Sequence, residues 1–430
     1  MKKTNIIFTA LLITLLICPA LTGCGKAEQS TASQPETGSL AKSQTQESSA
    51  VIKLSGTTAV ITGDGAKNEN GNIIITGGGT YTLSGEFSGK ITVDADNENV
   101  TLILDGVKIT SPDSAAINTV KAKSVTISVK DGTENTLSDS AQYSYDNSYS
   151  DKAEEEPDAC VFSKADLIIT GKGRLTVNGS FKNGIKSKDT LTVENSDITV
   201  FAENNGITGS DGLTVSESAL NITAGGDALH SNSNVTVSSG TITIECEDDA
   251  IHADNTVTID GGKTDITAHE GIEGTAVIIN GGIINISASD DGINAAQKTE
   301  GITPSVEING GEITITMAQG DTDGIDANGD IIINGGKISI TGQSGFDYDG
   351  KGEINGGEVY VNGQQVSQLQ NQFGAGMRGG QFGNRQAEDS GGFERGKPGI
   401  LPEDGPMPER PENGDIPQPP EDGNNSTSEI

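Results

Sequence analysis

Small apolar residues recur at a fixed interval along the middle of this chain, and that interval limits what it can fold into. Ile185, Ile207, Leu229, Ile251, Ile272, Ile293, Ile325 and Phe346 are spaced by 22, 22, 22, 21, 21, 32 and 21 residues. The one long step holds an insertion of about 11 residues near Lys298 to Pro304. A second column stands nine residues on, or eight in one case: Glu194, Ser216, Ser238, Asp260, Asn280, Asn334 and Asn355. Several of these open an Asn-Gly-Gly or Asp-Gly-Gly turn, whose glycines reach positive φ without the strain a side chain brings. Two columns in register over eight units make the chain a stack of like turns.

Within each unit, runs such as 256–259 (TVTI) and 283–286 (IINI) are β-branched and bounded by Gly, Asn and Asp. Nothing has helical periodicity. A unit of 21–22 residues with two or three short strands predicts an all-β fold, a right-handed parallel β-helix. The leucine framework that a leucine-rich repeat of similar period needs is missing. Strand alternation turns Ile251 inward, His252 outward and Ala253 inward. The inward position two after the column is small throughout: Ser187, Gly209, Ser231, Ala253, Gly274, Ala295 and Ala327. Upstream runs at 73–75, 100–104 and 125–129 continue less regularly, giving roughly a dozen rungs about 4.8 Å apart.

Composition agrees with a thin aliphatic core. Of 430 residues 58 are Gly, none is Trp, and 9 Phe and 6 Tyr are the only other large aromatic residues. The formal charge of −34 excludes nucleic acid and anionic headgroups as partners, and favours cations. The chain is expected to be a monomer.

The ends differ from the middle. Lys2 and Lys3 precede an apolar run from Ile6 to Ile17, too short for a comfortable membrane span and typical of a secretory signal. Leu21-Thr22-Gly23-Cys24 resembles a bacterial lipobox, which implies diacylation of Cys24 and a lipid-anchored protein on the extracellular face of the cell membrane. An ordinary signal peptide with an incidental Cys is the alternative. The expected organisation is a signal over 1–23, a Ser/Thr/Gln-rich tether over 24–50, the β-helix over 51–363 and a Gly/Gln/Pro-rich tail over 364–430. Cys160 and Cys246 lie about four rungs apart, roughly 19 Å, beyond the reach of a disulfide. They are expected to be free, buried thiols.

The segments 79–93 (GTYTLSGEFSGKITV) and 100–109 (VTLILDGVKI), with the later repeats Asp-Ala-Ile-His-Ala, Asp-Gly-Ile-Asn-Ala and Asp-Gly-Ile-Asp-Ala-Asn-Gly, carry a resemblance. Over about residues 50–363 the chain resembles the clostridial-type carbohydrate-binding β-helix proteins, surface proteins related in fold to pectate lyases. The resemblance implies a β-helix, calcium binding, and affinity for cellulose and acidic pectic glycans such as polygalacturonate.

The repeat alignment also sorts the acids. Asn183, Asn205, Asp227, Asp249, Glu270, Asp291 and Asp323 stand two before the column. Lys186, Thr208, His230, His252, Glu273, Asn294, Asp326 and Asp347 stand one after it, and Asp248, Asp290 and Asp321 thicken the ridge. Two like charges 4.8 Å apart repel by about 0.9 kcal/mol in water and about 3.5 kcal/mol at an effective dielectric of 20. A phased stack of carboxylates therefore calls for cations between rungs, and an oxygen-only donor set suits Ca²⁺. The expected metal ligands are Asp227, Asp248, Asp249, Glu270, Glu273, Asp290, Asp291, Asp321, Asp323, Asp326 and Asp347. The bland alternative is a solvated acidic face without a discrete ion.

His230, His252 and His269 fall within two rungs, where they can stack, meet sugar hydroxyls, ligate a metal or act as a base. With no Trp, the aromatic faces available to a glycan are Phe346 and Tyr348 near the last rungs, and Tyr143, Tyr145 and Tyr149 in an acidic insertion from Asp139 to Asp158, either a lid or an unstructured loop. The leading expectation is calcium-dependent polysaccharide binding, with His230, His252, Phe346 and Tyr348 touching sugar and no catalytic residue. A calcium-assisted polysaccharide lyase is the enzymatic alternative; its base would come from Lys186, Lys188 or Lys263, none on a rung with the densest acids. An adhesin or stalk without glycan affinity is the third.

Overall fold

A computed structural model describes residues 48–145, 156–320 and 322–371. Cys24, the signal and nearly all of the tether, Tyr149, Asp321 and the chain from 372 onward lie outside the described residues. Among the described residues every regular element is a strand, and the chain coils as a β-solenoid of about 13 turns.

Each turn contributes to three parallel sheets. The first runs through the short strands Ile117–Lys121, Ala159–Ser163, Asn183–Ser187, Ile207–Gly209, Leu229–Ser231, the start of Asp249–Ile259, and on to Ser344–Tyr348. Its register pairs Ile185 with Ile207, Ile207 with Leu229, Leu229 with Ile251, Ile251 with Ile272, Ile272 with Ile293, Ile293 with Ile325 and Ile325 with Phe346. Those are the apolar column residues in order. The seven aliphatic members have 0% exposure, and the small series Ser187 to Ala327 lies beside them, also buried. Each layer thus covers the next. A fully buried side chain of this size contributes roughly 1.5–3 kcal/mol, so repetition supplies what a chain poor in aromatic residues cannot build as one large core.

The second sheet ends in the turn column, where the side-chain amides form a ladder. Asn280 donates to Asp260 at 2.8 Å, Asn309 to Asn280 at 3.0 Å, Asn334 to Asn309 at 2.8 Å and Asn355 to Asn334 at 2.9 Å. Asn309 completes this column inside the long step, displaced in sequence by the insertion and absent from the periodic alignment. The Gly-Gly pairs that follow are sterically required: Gly336 and Gly357 have φ of 87° and 82°. A Cβ on them would lie 2.8 and 2.6 Å from the carbonyl oxygen of Gly311 and Gly336 on the preceding turn.

Cys160 and Cys246 are free and buried, as their rung separation requires. Antiparallel hairpins close both ends of the stack. Ser48–Gly56 pairs with Thr58–Gly63, and Ala66–Glu69 with Asn72–Ile75, at the first turns. At the last, Glu358–Val361 pairs with Gln364–Val366. The folded unit therefore passes residue 363, where composition placed the start of the tail: Leu369 is only 7% exposed and joins the core. Composition misses this because a cap needs few apolar residues and sits on rungs already built.

Candidate functional site

The outward column of the first sheet carries the chemistry. Parallel pairing places Thr92, Asn118, Phe162, Lys186, Thr208, His230, His252, Glu273, Asn294, Asp326 and Asp347 on successive rungs. From Lys186 onward this matches the order the repeat predicts.

The residues two before the column have a structural task first. Asn183 Oδ1 accepts the backbone N–H of Asn205 at 3.2 Å, Asn205 Oδ1 that of Asp227 at 3.2 Å, Asp227 Oδ1 that of Asp249 at 3.3 Å, and Asp291 Oδ1 that of Asp323 at 3.0 Å. One oxygen of each side chain thus ties its rung to the next. Asn and Asp serve equally, since each offers an acceptor on a short stem, which explains why the column changes from amide to acid without breaking.

The second oxygen is what a charged partner can reach. Asp227 Oδ2 lies 2.6 Å from His230 Nδ1, and Asp249 Oδ2 lies 2.7 Å from His252 Nδ1. The two imidazoles stack with centroids 5.0 Å apart and planes 11° from parallel, the surface ladder that neighbouring outward histidines can form. His252 Nδ1 also lies 2.9 Å from Glu273 Oε2, and Lys298 Nζ reaches Glu273 Oε1 at 2.6 Å. Burial alone would lower the His252 pKa, but the hydrogen bonds to Asp249 and Glu273 and nearby charge raise it to about 10. Burial opposes ionisation of Glu273, yet His252, Asp249 and Lys298 hold it down to about 2. Asp249, desolvated and beside Glu273, is pushed up to about 6. Lys298 comes from the insertion, so a cation does reach the acids, contrary to the expectation drawn from Lys186, Lys188 and Lys263. Of those three, Lys186 pairs with Asp158 at 2.7 Å, Lys188 with Glu156 at 2.5 Å, and Lys263 with Asp265 on another sheet.

Beyond Glu273 the ridge changes character. Glu270 is pushed up to about 8 by burial and by the charges of Asp249, Glu273 and Asp291. Burial and Asp326, Asp290 and Asp323 raise Asp291 to about 7, and burial with Asp347 and Asp323 raises Asp326 to about 6. Asn294 donates its amide to Glu270 at 3.0 Å, while its Oδ1 is buried and accepts no hydrogen bond among the described residues. An orphaned acceptor thus stands on the amide that bonds Glu270, and oxygens of this kind are a donor set that fits a hard divalent cation. Ligand atoms of Asp249, Glu270 and Glu273 lie within 4.8 Å of one another, as do those of His269, Glu270 and Asp290. Ser344 donates to Asp323, Asp347 is half-buried, and Asp248 is exposed at the outer rim.

On the other side of the histidines, the same column floors a groove of about 550 Å³. Lys186, Thr208 and His230 line its base, with Asn204, Asn205 and Asn232 beside them and Asp158, Phe181 and Lys182 on its wall. Thr208 is 4% exposed and its Oγ1 has no partner among the described residues; neither has Asp158 Oδ1. Phe181 stacks on Tyr143 with centroids 4.3 Å apart, and Lys182 Nζ lies 5.2 Å from the Phe181 ring. Tyr143 in turn packs over Phe162, Ala115 and Ala159. Its hydroxyl lies 2.6 Å from Asp139 Oδ2, and Asp139 Oδ1 accepts the Ser180 N–H at 2.5 Å. Burial raises the Asp139 pKa despite these bonds. The described parts of the 139–158 insertion are therefore docked on the first sheet rather than unstructured.

Two expected sugar contacts need correcting. Phe346 is 2% exposed, because it is the column residue of its own rung and points inward. Tyr348 pairs with Ala327 at the inward position two further on, packs against the core and donates its hydroxyl to Leu369 O at 3.3 Å. Neither offers a free ring face. The aromatic wall is Phe181, which sequence reasoning missed: it sits at a corner outside both columns, four residues before Ile185.

A polar groove with an aromatic wall and a ridge of carboxylates thus share the outer face of the first sheet. The profile of the family described as carbohydrate-binding domain-containing protein matches residues 69–324 and 268–372, and the chain belongs to that family. A carbohydrate-binding domain-containing protein of Acetivibrio thermocellus is 34% identical over 204 residues, which are 47% of this chain and 66% of the relative, just short of two thirds of its length. A solved structure of a polysaccharide lyase-like protein from C. thermocellum, a gadolinium derivative, aligns at 26% identity over 76% of this chain and 98% of its own, with a TM-score of 0.37.

Proposed function

We propose that the outer face of the first sheet binds polysaccharide of the plant cell-wall type, with calcium as an accessory ion. The observation that carries this is the groove over Lys186, Thr208 and His230, where buried oxygens without partners lie beside the Phe181 ring. Sugar rings pair an apolar face with a rim of hydroxyls, and an aromatic wall over amides and hydroxyls answers both. Cellulose-type and acidic pectic chains such as polygalacturonate are the ligand classes. Glu270, Asp291, Asn294 and Asp326 would hold Ca²⁺, which neutralises the ridge and admits an acidic chain alongside it. Cys24 anchors the protein to the outer face of the membrane through its diacyl group.

Pull-down on polygalacturonate and on cellulose, with calcium and with chelator, tests the binding. Phe181→Ala is expected to weaken retention at least tenfold without changing the melting temperature by more than a few degrees; retention at wild-type strength would remove the groove from the account. The lyase alternative draws on Lys186 in the groove, yet its ammonium is engaged by Asp158 at 2.7 Å. Unsaturated product formed from polygalacturonate would reverse that preference.

A further inference from the structure

We infer that the first sheet carries a second sugar site, on its N-terminal rungs, that takes uncharged pyranose residues. It rests on the polysaccharide reading above but uses different residues. A cavity of about 340 Å³ opens over the strands Asn72–Ile75, Ile91–Asp94 and Ile117–Lys121. Its floor is Thr92 and Asn118, paired on neighbouring rungs, with Ser114 beside them. Thr92 and Asn118 are each 9% exposed, and neither side chain makes a hydrogen bond among the described residues. An amide and a hydroxyl on a cavity floor, not engaged by other described groups, are what sugar hydroxyls can pair with. Ile74, Tyr145 and Pro157 supply apolar surface for the opposite side of a ring.

Charge sets the ligand class. Lys67 pairs with Glu69 at 2.5 Å, Lys90 with Asp113 at 3.6 Å, and Glu156 with Lys164 at 3.0 Å and Lys188 at 2.5 Å. Each of these charges is matched within the protein; Asp94, which also lines the cavity, makes no ion pair among the described residues, and its negative charge turns away acidic sugars while accepting hydroxyls. The two cavities are separated by an aromatic ridge: Tyr145 borders this one, Phe181 the other, and their ring centroids are 6.5 Å apart. Asn118 and Thr208 are three rungs apart, about 14 Å, so one polysaccharide chain can cross the ridge and occupy both.

Titration of the full chain with cellohexaose, xylohexaose and mannohexaose tests this, alongside retention on polygalacturonate. Thr92→Val with Asn118→Ala is expected to weaken the hexasaccharide that binds best at least tenfold while leaving retention on polygalacturonate unchanged. Hydroxyl-radical footprinting of the unaltered protein, which needs no variant to fold, should show that hexasaccharide protecting Tyr145. If polygalacturonate is retained but no neutral hexasaccharide binds, or binding is undiminished in the double variant, this site is refuted alone. If nothing binds at all, the polysaccharide reading itself has failed.

Discussion

Replacing His252 by Gln asks how much of the ladder's stability comes from one internal cation. The imidazolium lies 2.7 Å from Asp249 and 2.9 Å from Glu273, and the three side chains are 12%, 9% and 6% exposed. At an effective dielectric of about 20 each contact carries roughly 6 kcal/mol of Coulomb attraction. Desolvation of three ions cancels most of it, and removing one partner from a buried set costs about 3–5 kcal/mol net. Gln keeps a donor and much of the volume but no charge, so His252→Gln in chelator near pH 7.5 should lose about that amount, a fall in Tm on the order of 10 °C. The pH dependence has a definite sign. Because the folded His252 pKa of about 10 lies above its usual 6.5, its contribution is complete below about 6.5 and fades as pH rises through 10. The gap between wild type and variant should close accordingly. Calcium should restore part of the loss, since Asp227, Asp249 and Glu273 then form an acid cluster without its cation. Thermal and urea melts with and without chelator measure all three. A loss below about 1 kcal/mol at pH 7.5 would show that the ladder does not depend on His252.

Three further outcomes follow from the same geometry. Without calcium, Glu270 and Asp291 favour the protonated form in the folded state, with pKa values of about 8 and 7 against the usual 4.5 and 3.8, so they stabilise at low pH and lose that contribution as pH rises through 7 and 8. Glu270→Gln with Asp291→Asn should raise the chelator melt at pH 8.5 and blunt the response to calcium; an undiminished response would exclude both as ligands. Asn309→Ala breaks two amide-ladder bonds, those to Asn280 and from Asn334, and should cost about 1–2 kcal/mol in urea titrations, since each is worth about 0.5–1.5. Burial raises the Cys160 thiol pKa far above its ordinary range and that of Cys246 to about 12. Neither should react with a thiol reagent at pH 8 until the protein is unfolded; fast labelling of the native state would contradict their placement.

What the sequence made legible was whatever repeats. The column from Ile185 to Phe346 and the outward series from Lys186 to Asp347 are both reproduced by strand register, because a residue 21 or 22 positions on has to become the neighbour overhead. Features that interrupt the repeat were illegible. Lys298 belongs to an insertion whose direction no period specifies, and Asn309 keeps its place in the ladder only after that insertion is threaded. Phe181 lies at a corner, where alternation gives no orientation. Tyr348 differs: in a chain without Trp it counts as an available aromatic face, yet the alternation that assigns Ala327 inward assigns Tyr348 inward too. At the last full turn it fits, because Leu369 folds back to meet it.

The hairpins at the two ends have a consequence for assembly. Every internal rung offers its backbone to a neighbour above and below, so the stack has no intrinsic reason to stop. Gln364–Val366 and Thr58–Gly63 run against the grain of the coil and interrupt parallel addition. A chain shorn of Gln364 to Asn371 would present an open parallel edge to its own kind, and its fate should be a growing thread rather than a soluble particle.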